Sequence, residues 1–319
     1  MKQALFLFLT ALCLATACDP GEPCAACTEE AVPRRLQLTL QQAGPDTKGS
    51  EDPQTLDNRI TQCVLYVFSR DGQLVNCYPS ANGLFDIYLT DETYDFIAVA
   101  NKEGLPSLGI SKSVLCQTET TLAENSYGGF VMVGRLDNHI IDGDEKITLE
   151  MHRLVAKVSY SIQTRFTGAL AQANFQVEDV FLTNVAGVNN LALTDTLPAS
   201  KALWYNRMNR EDCDGAPTAL LQGGPCLYAY PNASPDSHDK TEWGSRCTRF
   251  VVKALLAGRT TYYPVTLERV RANHHYHIDL TIANFGMDHP EDSPEDYSGF
   301  QPRLTVVPWQ SGATLQGDF

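Results

Sequence analysis

An all-β fold is predicted for this sequence: two antiparallel β-sandwiches in tandem, with transthyretin-like or Greek-key connections. Three observations predict it. The apolar residues fall in short runs that alternate with polar ones or are dense in β-branched and aromatic residues, as in "LFDIYLT", "YDFIAVAN" and "KITLEM". Gly, Pro, Asn and Asp punctuate these runs at short intervals, with no helical alternation between them. The length of 319 residues and 43% hydrophobic content support two cores of ordinary size.

The elements follow in order. In "RLQLTLQQAGPDTKGSEDPQTLDN", Leu36, Leu38 and Leu40 alternate with Gln37, Thr39 and Gln41, the pattern of a half-buried strand over 36–41. A polar loop over 42–59 follows, with Gly44, Pro45, Gly49 and Pro53 breaking any packed element and Lys48 in its middle. "CVLYVF", "SRDG" and "QLVNCY" make a hairpin turning at Asp71-Gly72, which brings Cys63 and Cys77 onto neighbouring strands as a candidate structural disulfide. Strands over "LFDIYLT", "YDFIAVAN", "GGFVMVG" and "KITLEM" complete a first sandwich, 36–148. The second, 149–319, begins at "HRLVAKVSYSIQT". It continues through "QVEDVFLTNV", "CLYAYPN", "CTRFVVKALLAG", "TTYYPVTLERV", "HHYHIDLTIANF" and "PRLTVVPW", interrupted by an irregular excursion near 194–224.

The start of the chain reads as an export signal. Lys2, the stretch "ALFLFLTALCL" and "ATAC" before Cys18 give a basic start, a short hydrophobic run and small residues. That run is too short to span a bilayer. Residues 1–17 are expected to be the signal and Cys18 the lipid acceptor, heading a tail over 18–35; the alternative is an ordinary signal peptide cut nearby. The formal charge of −14 gives no electrostatic reason to seek nucleic acid. Of ten cysteines, Cys24 and Cys27 have redox spacing but sit in a proline-flanked tail.

Chemistry is not written in any motif. GxSxG, HExxH and a glycine-rich phosphate loop are absent from the sequence, so no catalytic residue, cofactor or metal site is expected. His275 and His277 share a strand face with Asp279 and Thr281, and a solvated face is the expected reading. "DGDEK" (142–146) lacks calcium-loop spacing and reads as a surface turn. The tryptophans, Trp204, Trp243 and Trp309, are expected to pack in cores and interfaces.

Taken together, the cysteine at 18, the strand and basic loop at 36–48, "YDFIAVAN" ending in Asn101, "FVMVG", "LEMHRLVAKVSY", "TYYPVTLERVRANHHYHIDLTI" and "LTVVPWQ" occur in an order that resembles the fimbrillins, pilin subunits of the Bacteroidales type V pilus. The resemblance covers nearly the whole chain from Cys18 onward. It implies a lipidated precursor on the outer membrane, cut in the loop after its first strand by a trypsin-like surface protease. The freed groove would then take a strand from another copy or a related pilin.

Carried onto this chain, Leu36, Leu38 and Leu40 lie on the removable strand and Lys48 precedes the cut, with Arg59 and the Arg34-Arg35 pair as rivals. Each leucine contributes roughly 1.5–3 kcal/mol if fully buried, so an empty groove is a strong acceptor. Over 300–319, Leu304 and Val306 alternate with Thr305 and Val307, with Trp309 after Pro308. This is a donor-strand arm or else the last strand of the second sandwich. A shaft pilin serving adhesion or biofilm formation is the expected role; the alternatives are a tip adhesin, a pilus anchor or another surface-binding lipoprotein with an unidentified ligand.

Overall fold

Alternation in the sequence becomes strand in the molecule. The computed structural model describes residues 32–42, 57–125, 128–193, 204–205, 226–233, 247–292 and 300–308. In chain order these contain β1 (Arg34–Gln42), β2 (Cys63–Ser69), β3 (Leu74–Ser80), β4 (Leu84–Leu89), β5 (Thr93–Ala100), the short helix α1 (Lys112–Cys116) and β6 (Glu119–Thr121). Next come β7 (Met132–Ile140), β8 (Glu145–Arg153), β9 (Ala156–Thr164), β10 (Phe175–Thr183), β11 (Val185–Ala186), β12 (Val188–Asn190) and β13 (Trp204–Tyr205). The last are β14 (Cys226–Ala229), β15 (Thr248–Leu256), β16 (Arg259–Leu267), β17 (His274–Ile282) and β18 (Phe300–Pro308). Contacts divide the chain after Val32, and all these strands lie in the compact unit that starts at Pro33.

Seven strands form one sheet in the order β3-β2-β5-β7-β8-β1-β4. A four-stranded sheet, β14-β9-β17-β18, and a three-stranded one, β10-β15-β16, carry the C-terminal part. The sheets are not wholly antiparallel. β1 runs parallel to β8 and β9 runs parallel to β17, because in each case the strands are joined by a long stretch of chain rather than a hairpin. The expected boundary at 148/149 falls inside β8, and the chain passes to the second set of sheets at Leu154–Val155.

Burial follows the period of two. β4 alternates exposed and buried residues without exception, and β17 buries Tyr276, Ile278, Leu280 and Ile282 on one face. β5, buried at nearly every position, is a central strand covered on both faces. One core gathers Leu36, Leu38, Leu65, Val67, Phe96 and Met151 inside the seven-stranded sheet. A larger core runs from the other face of β2 and β5, with Tyr66 and Ile97, into the C-terminal sheets at Val158, Phe250 and Ile278.

The excursion between β5 and β7 joins the two parts. Ser111 caps α1 by accepting the Val114 N–H, and α1 buries Leu115. β6 then pairs with β12 of the C-terminal part. Tyr230 locks the joint: its hydroxyl accepts from Asn125 Nδ2 at 2.8 Å and donates to the Thr121 carbonyl at 2.8 Å.

The hairpin corrects the expected disulfide. Gly72, at φ 73°, closes the turn, and a bulge between Val67 and Phe68 shifts the register, so Cys63 faces Ser80 and Cys77 faces Tyr66. An offset of three positions puts the thiols on opposite faces of the sheet. Cys63 enters the inner core, Cys77 packs against the larger one, and both are free thiols. Each thiol donates instead to a carbonyl, Cys63 to Ser80 and Cys77 to Ser107.

Candidate functional site: the groove filled by the first strand

β1 lies within its sheet rather than at an edge, and its alternating leucines turn one face to the core. It pairs antiparallel with β4, Leu36 opposite Ile87 and Leu38 opposite Phe85, and parallel with β8, Leu38 opposite Ile147. Leu36 is 0% and Leu38 1% exposed. Leu40 is half-buried, its N–H donating to the Gly83 carbonyl at 2.9 Å. Gly83 sits at φ +73°, and a Cβ there would stand 3.1 Å from the Leu40 Cβ, so glycine is what lets the end of β1 close on the turn. Among the described residues β4 has no ladder partner but β1. Without β1, both β4 and one side of β8 would be left unpaired.

Charges fasten the start of the strand. Arg34 holds both oxygens of Asp91 at 2.5 and 2.6 Å, and Arg35 both oxygens of Asp86 at 2.9 and 2.6 Å. Such two-toothed pairs fix direction as well as position. The Arg35 N–H donates to Asp144 Oδ1 at 2.8 Å. Hydrogen bonds from the guanidinium groups hold the Asp86 and Asp91 carboxyls below their usual range and raise Arg34 and Arg35.

The chain that follows the loop is fastened too. Asp57, 1% exposed, accepts from Lys157 Nζ at 2.7 Å, and its carbonyl accepts from Arg153 Nε at 3.0 Å. Arg153 is itself 0% exposed, bonds Asn58 and Asn273, and is pushed down to about 10 by burial. Asn101, at φ 58°, ties down the next residues. Its oxygen accepts from the Thr61 N–H at 2.9 Å, and its Nδ2 donates to the carbonyls of Arg59 at 2.7 Å and Phe130 at 2.9 Å.

Of the residues singled out in the sequence, Cys18, Lys48 and Trp309 lie outside the described residues, as do Cys24, Cys27 and Trp243. The Arg59 side chain is exposed while its backbone is held, and the Arg34-Arg35 pair is part of β1. Leu304 and Val306 lie in β18, which pairs antiparallel with β17 at the edge of the four-stranded sheet. There they are 38% and 45% exposed, beside a cavity of about 390 Å3 bordered by Thr266, Arg269 and Tyr276. Phe300 alone in β18 is buried.

The histidine face is less solvated than its sequence implies. Ser159 Oγ lies 2.7 Å from both His275 Nε2 and His277 Nδ1, and His277 Nε2 lies 3.2 Å from Asp279. The serine contacts cross from β9 to β17, and the last runs along the same face of β17. Burial, then the nearby Lys157 and His277, push His275 down to about 4. Among the described residues no group of three or more His, Cys, Asp or Glu is placed to hold a metal ion.

Sequence reasoning missed the carboxylates. Asp86, Asp91 and Asp144 lie between 51 and 109 residues from the arginines they bind, and Asp57 lies 100 residues from Lys157. The one local signal was Arg34-Arg35 directly ahead of the leucines.

Comparison with known proteins agrees with this architecture. The fimbrilin FimA of Porphyromonas gingivalis W83 aligns over 88% of this chain and 99% of its own, at 14% identity and a TM-score of 0.62. The tip fimbrial protein Mfa3 of Porphyromonas gingivalis aligns over 87% of this chain and 100% of its own, at 14% identity and 0.57. These likenesses establish the fold. In sequence, the major fimbrium subunit FimC of Porphyromonas gingivalis is 25% identical over 183 residues, 52% of this chain; the match spans 36%, about a third, of that relative's length. The family model described as fimbrillin-A associated anchor proteins Mfa1 and Mfa2 matches residues 27–202, more than half of the chain, and the chain belongs to that family.

Proposed function

We propose that this protein is a fimbrial subunit that gives up β1 and takes a strand of a neighbouring subunit in its place, donating its own C-terminal strand in turn. The observation that carries the reading is the position of β1, bonded on both flanks, with Leu36 and Leu38 buried, yet joined to the rest of the fold only through the stretch that holds Lys48. In this reading Cys18 carries lipid that holds the precursor at the outer membrane, and a trypsin-like surface protease cuts after Lys48. Subunits then build a cell-surface fimbrium that serves adhesion.

Asp57 favours Lys48 over Arg59 as the cut. A cut after Arg59 would take Asp57 away with β1 and leave Arg153 and Lys157 without it, whereas a cut after Lys48 leaves Asp57 in place. The exposed side chains of β18 support its role as donor, since little beyond Phe300 and the ladder to β17 retains it. The acceptor groove lies in the seven-stranded sheet and the donor strand at the edge of the four-stranded one, which keeps the two roles apart. A subunit that both accepts and donates occupies an internal, shaft position. The family's description as anchor proteins favours a second reading, in which the protein keeps β1 and its lipid and holds a fimbrium at the membrane.

Limited digestion of the precursor spanning 18–319, with Cys18→Ser, separates the two. A single early cut after Lys48, followed by growth into SDS-resistant ladders seen by electrophoresis and electron microscopy, is the expected result. A precursor that resists cutting, or that is cut and stays monomeric, overturns the shaft reading in favour of an anchor or a tip.

A further inference from the structure

We propose that Asp86, assisted by Asp144, selects the strand that enters the groove: it reads an arginine placed immediately ahead of alternating apolar residues, and the edge-strand segment that meets this rule is Arg303–Val307 of a second copy of this chain. The inference rests on the strand-replacement reading above and adds what decides the occupant.

β1 is itself a ligand already seated in the groove. Leu36 and Leu38 face the core, so Arg35, Gln37 and Thr39 face outward. On that outer face Gln37 stands opposite Asp86 and Arg35 opposite Tyr88, which puts the Arg35 guanidinium diagonally across from the carboxylate it grips. Asp144 receives the Arg35 backbone N–H from the other flank. The groove therefore tests two things at once: alternate apolar side chains going in, and a cation one residue earlier going out.

β18 repeats the test pattern. With Leu304 set on Leu36, Arg303 falls on Arg35, Thr305 on Gln37, Val306 on Leu38 and Val307 on Thr39. A slip of one residue would turn Thr305 into the core and Leu304 out of it. The match has defined limits. Pro302 falls on Arg34, so Asp91 gains no partner and Asp86 is the shared contact. Pro308 falls on Leu40 and has no N–H to give the Gly83 carbonyl. In its own sheet Arg303 stands opposite Asp279, so a transfer exchanges one carboxylate neighbour for another.

The test uses the full precursor, cut in its loop with a Lys/Arg-specific protease that is then irreversibly inhibited, and fluorescent peptides followed by anisotropy and gel filtration. Peptides of residues 300–308 and of residues 33–42 should both be taken up, and Arg303→Glu in the first should slow uptake by about three- to tenfold, less so at high salt. The precursor with Asp86→Arg should reverse the preference, taking the Arg303→Glu peptide faster than the unaltered one. That swap distinguishes charge reading from a damaged fold. Equal uptake of the Arg303 and Arg303→Glu peptides, with a Leu304→Asp peptide excluded, overturns the selection while leaving strand replacement standing. Uptake of the 33–42 peptide but not the 300–308 peptide overturns a second copy as occupant. Failure of every peptide, the 33–42 peptide included, overturns strand replacement and this inference with it.

Discussion

β1 and β18 are both nine-residue strands with the same arginine-first alternation, and they meet opposite fates. β1 is bonded on two sides and buries Leu36 and Leu38, whereas β18 is bonded on one side and leaves Leu304 and Val306 well over a third exposed. The register shows why. Leu304 and Val306 stand across the ladder from Ile278 and Tyr276, both buried, but an open cavity lies next to the arm where β1 meets a packed core. Alternation specifies which face a strand offers; whether anything covers that face is decided by the strands and loops packed opposite.

The contrast can be broken at several points. The largest effect is expected where the connection from β1 re-enters the fold. Asp57→Ala strips Lys157 of the carboxylate it grips and removes the negative charge beside buried Arg153, whose bond to the carbonyl of residue 57 remains, and should cost about 3–5 kcal/mol in urea unfolding. A loss near zero would mean that the loop end is not anchored and that a cut after Arg59 is as acceptable as one after Lys48.

Leu36→Ala or Leu38→Ala should cost about 2–5 kcal/mol each, because each leaves a cavity in the inner core. Leu304→Ala should stay within about 0.5 kcal/mol by the same measurement, as at other exposed positions. Equal losses at 36 and 304 would erase the difference between the strands. Gly83→Ala is a finer probe: its positive φ and the Leu40 contact together should cost about 1–2 kcal/mol and raise hydrogen exchange at the Leu40 amide.

Acid gives the smallest and most specific effect. The Asp86 and Asp91 carboxyls sit below their usual range when folded, so the unfolded chain binds more protons as pH falls. Their contribution is complete above the ordinary carboxylate range and is lost as pH drops through their lowered values. Amide exchange at the start of β1 should therefore quicken relative to the core of β17 on acidification below about pH 4. The double variant Asp86→Asn, Asp91→Asn should remove that differential.

Much of this was legible beforehand because period-two patterns are local. The strand at Leu36–Leu40, the hairpin at Asp71-Gly72, the paired faces of 274–282 and the strand at 300–308 all stand where alternation places them. What failed to show was long-range. The Cys63–Cys77 pairing depended on a bulge that moves the register by one and leaves the cysteines three positions out of step, and turn length is invisible in alternation. The parallel alignment of β1 with β8, the β6–β12 ladder and the Asp57–Lys157 pair join residues dozens of positions apart. Asp144 shows the limit most plainly: within "DGDEK" it reads as one more surface acid, and only the fold brings it to the Arg35 amide.

One feature of the groove reaches beyond a single molecule. Its walls are unlike: β8 runs with β1 and β4 runs against it, and the aspartates wait at one end only. A strand entering backwards would reverse both ladders and carry its cation away from Asp86 and Asp91, to the end where Gln41 stands opposite Glu150. Any chain of subunits linked through this groove therefore has a head and a tail. Every link points the same way, as arrows in a line, so growth at the two ends would be chemically different.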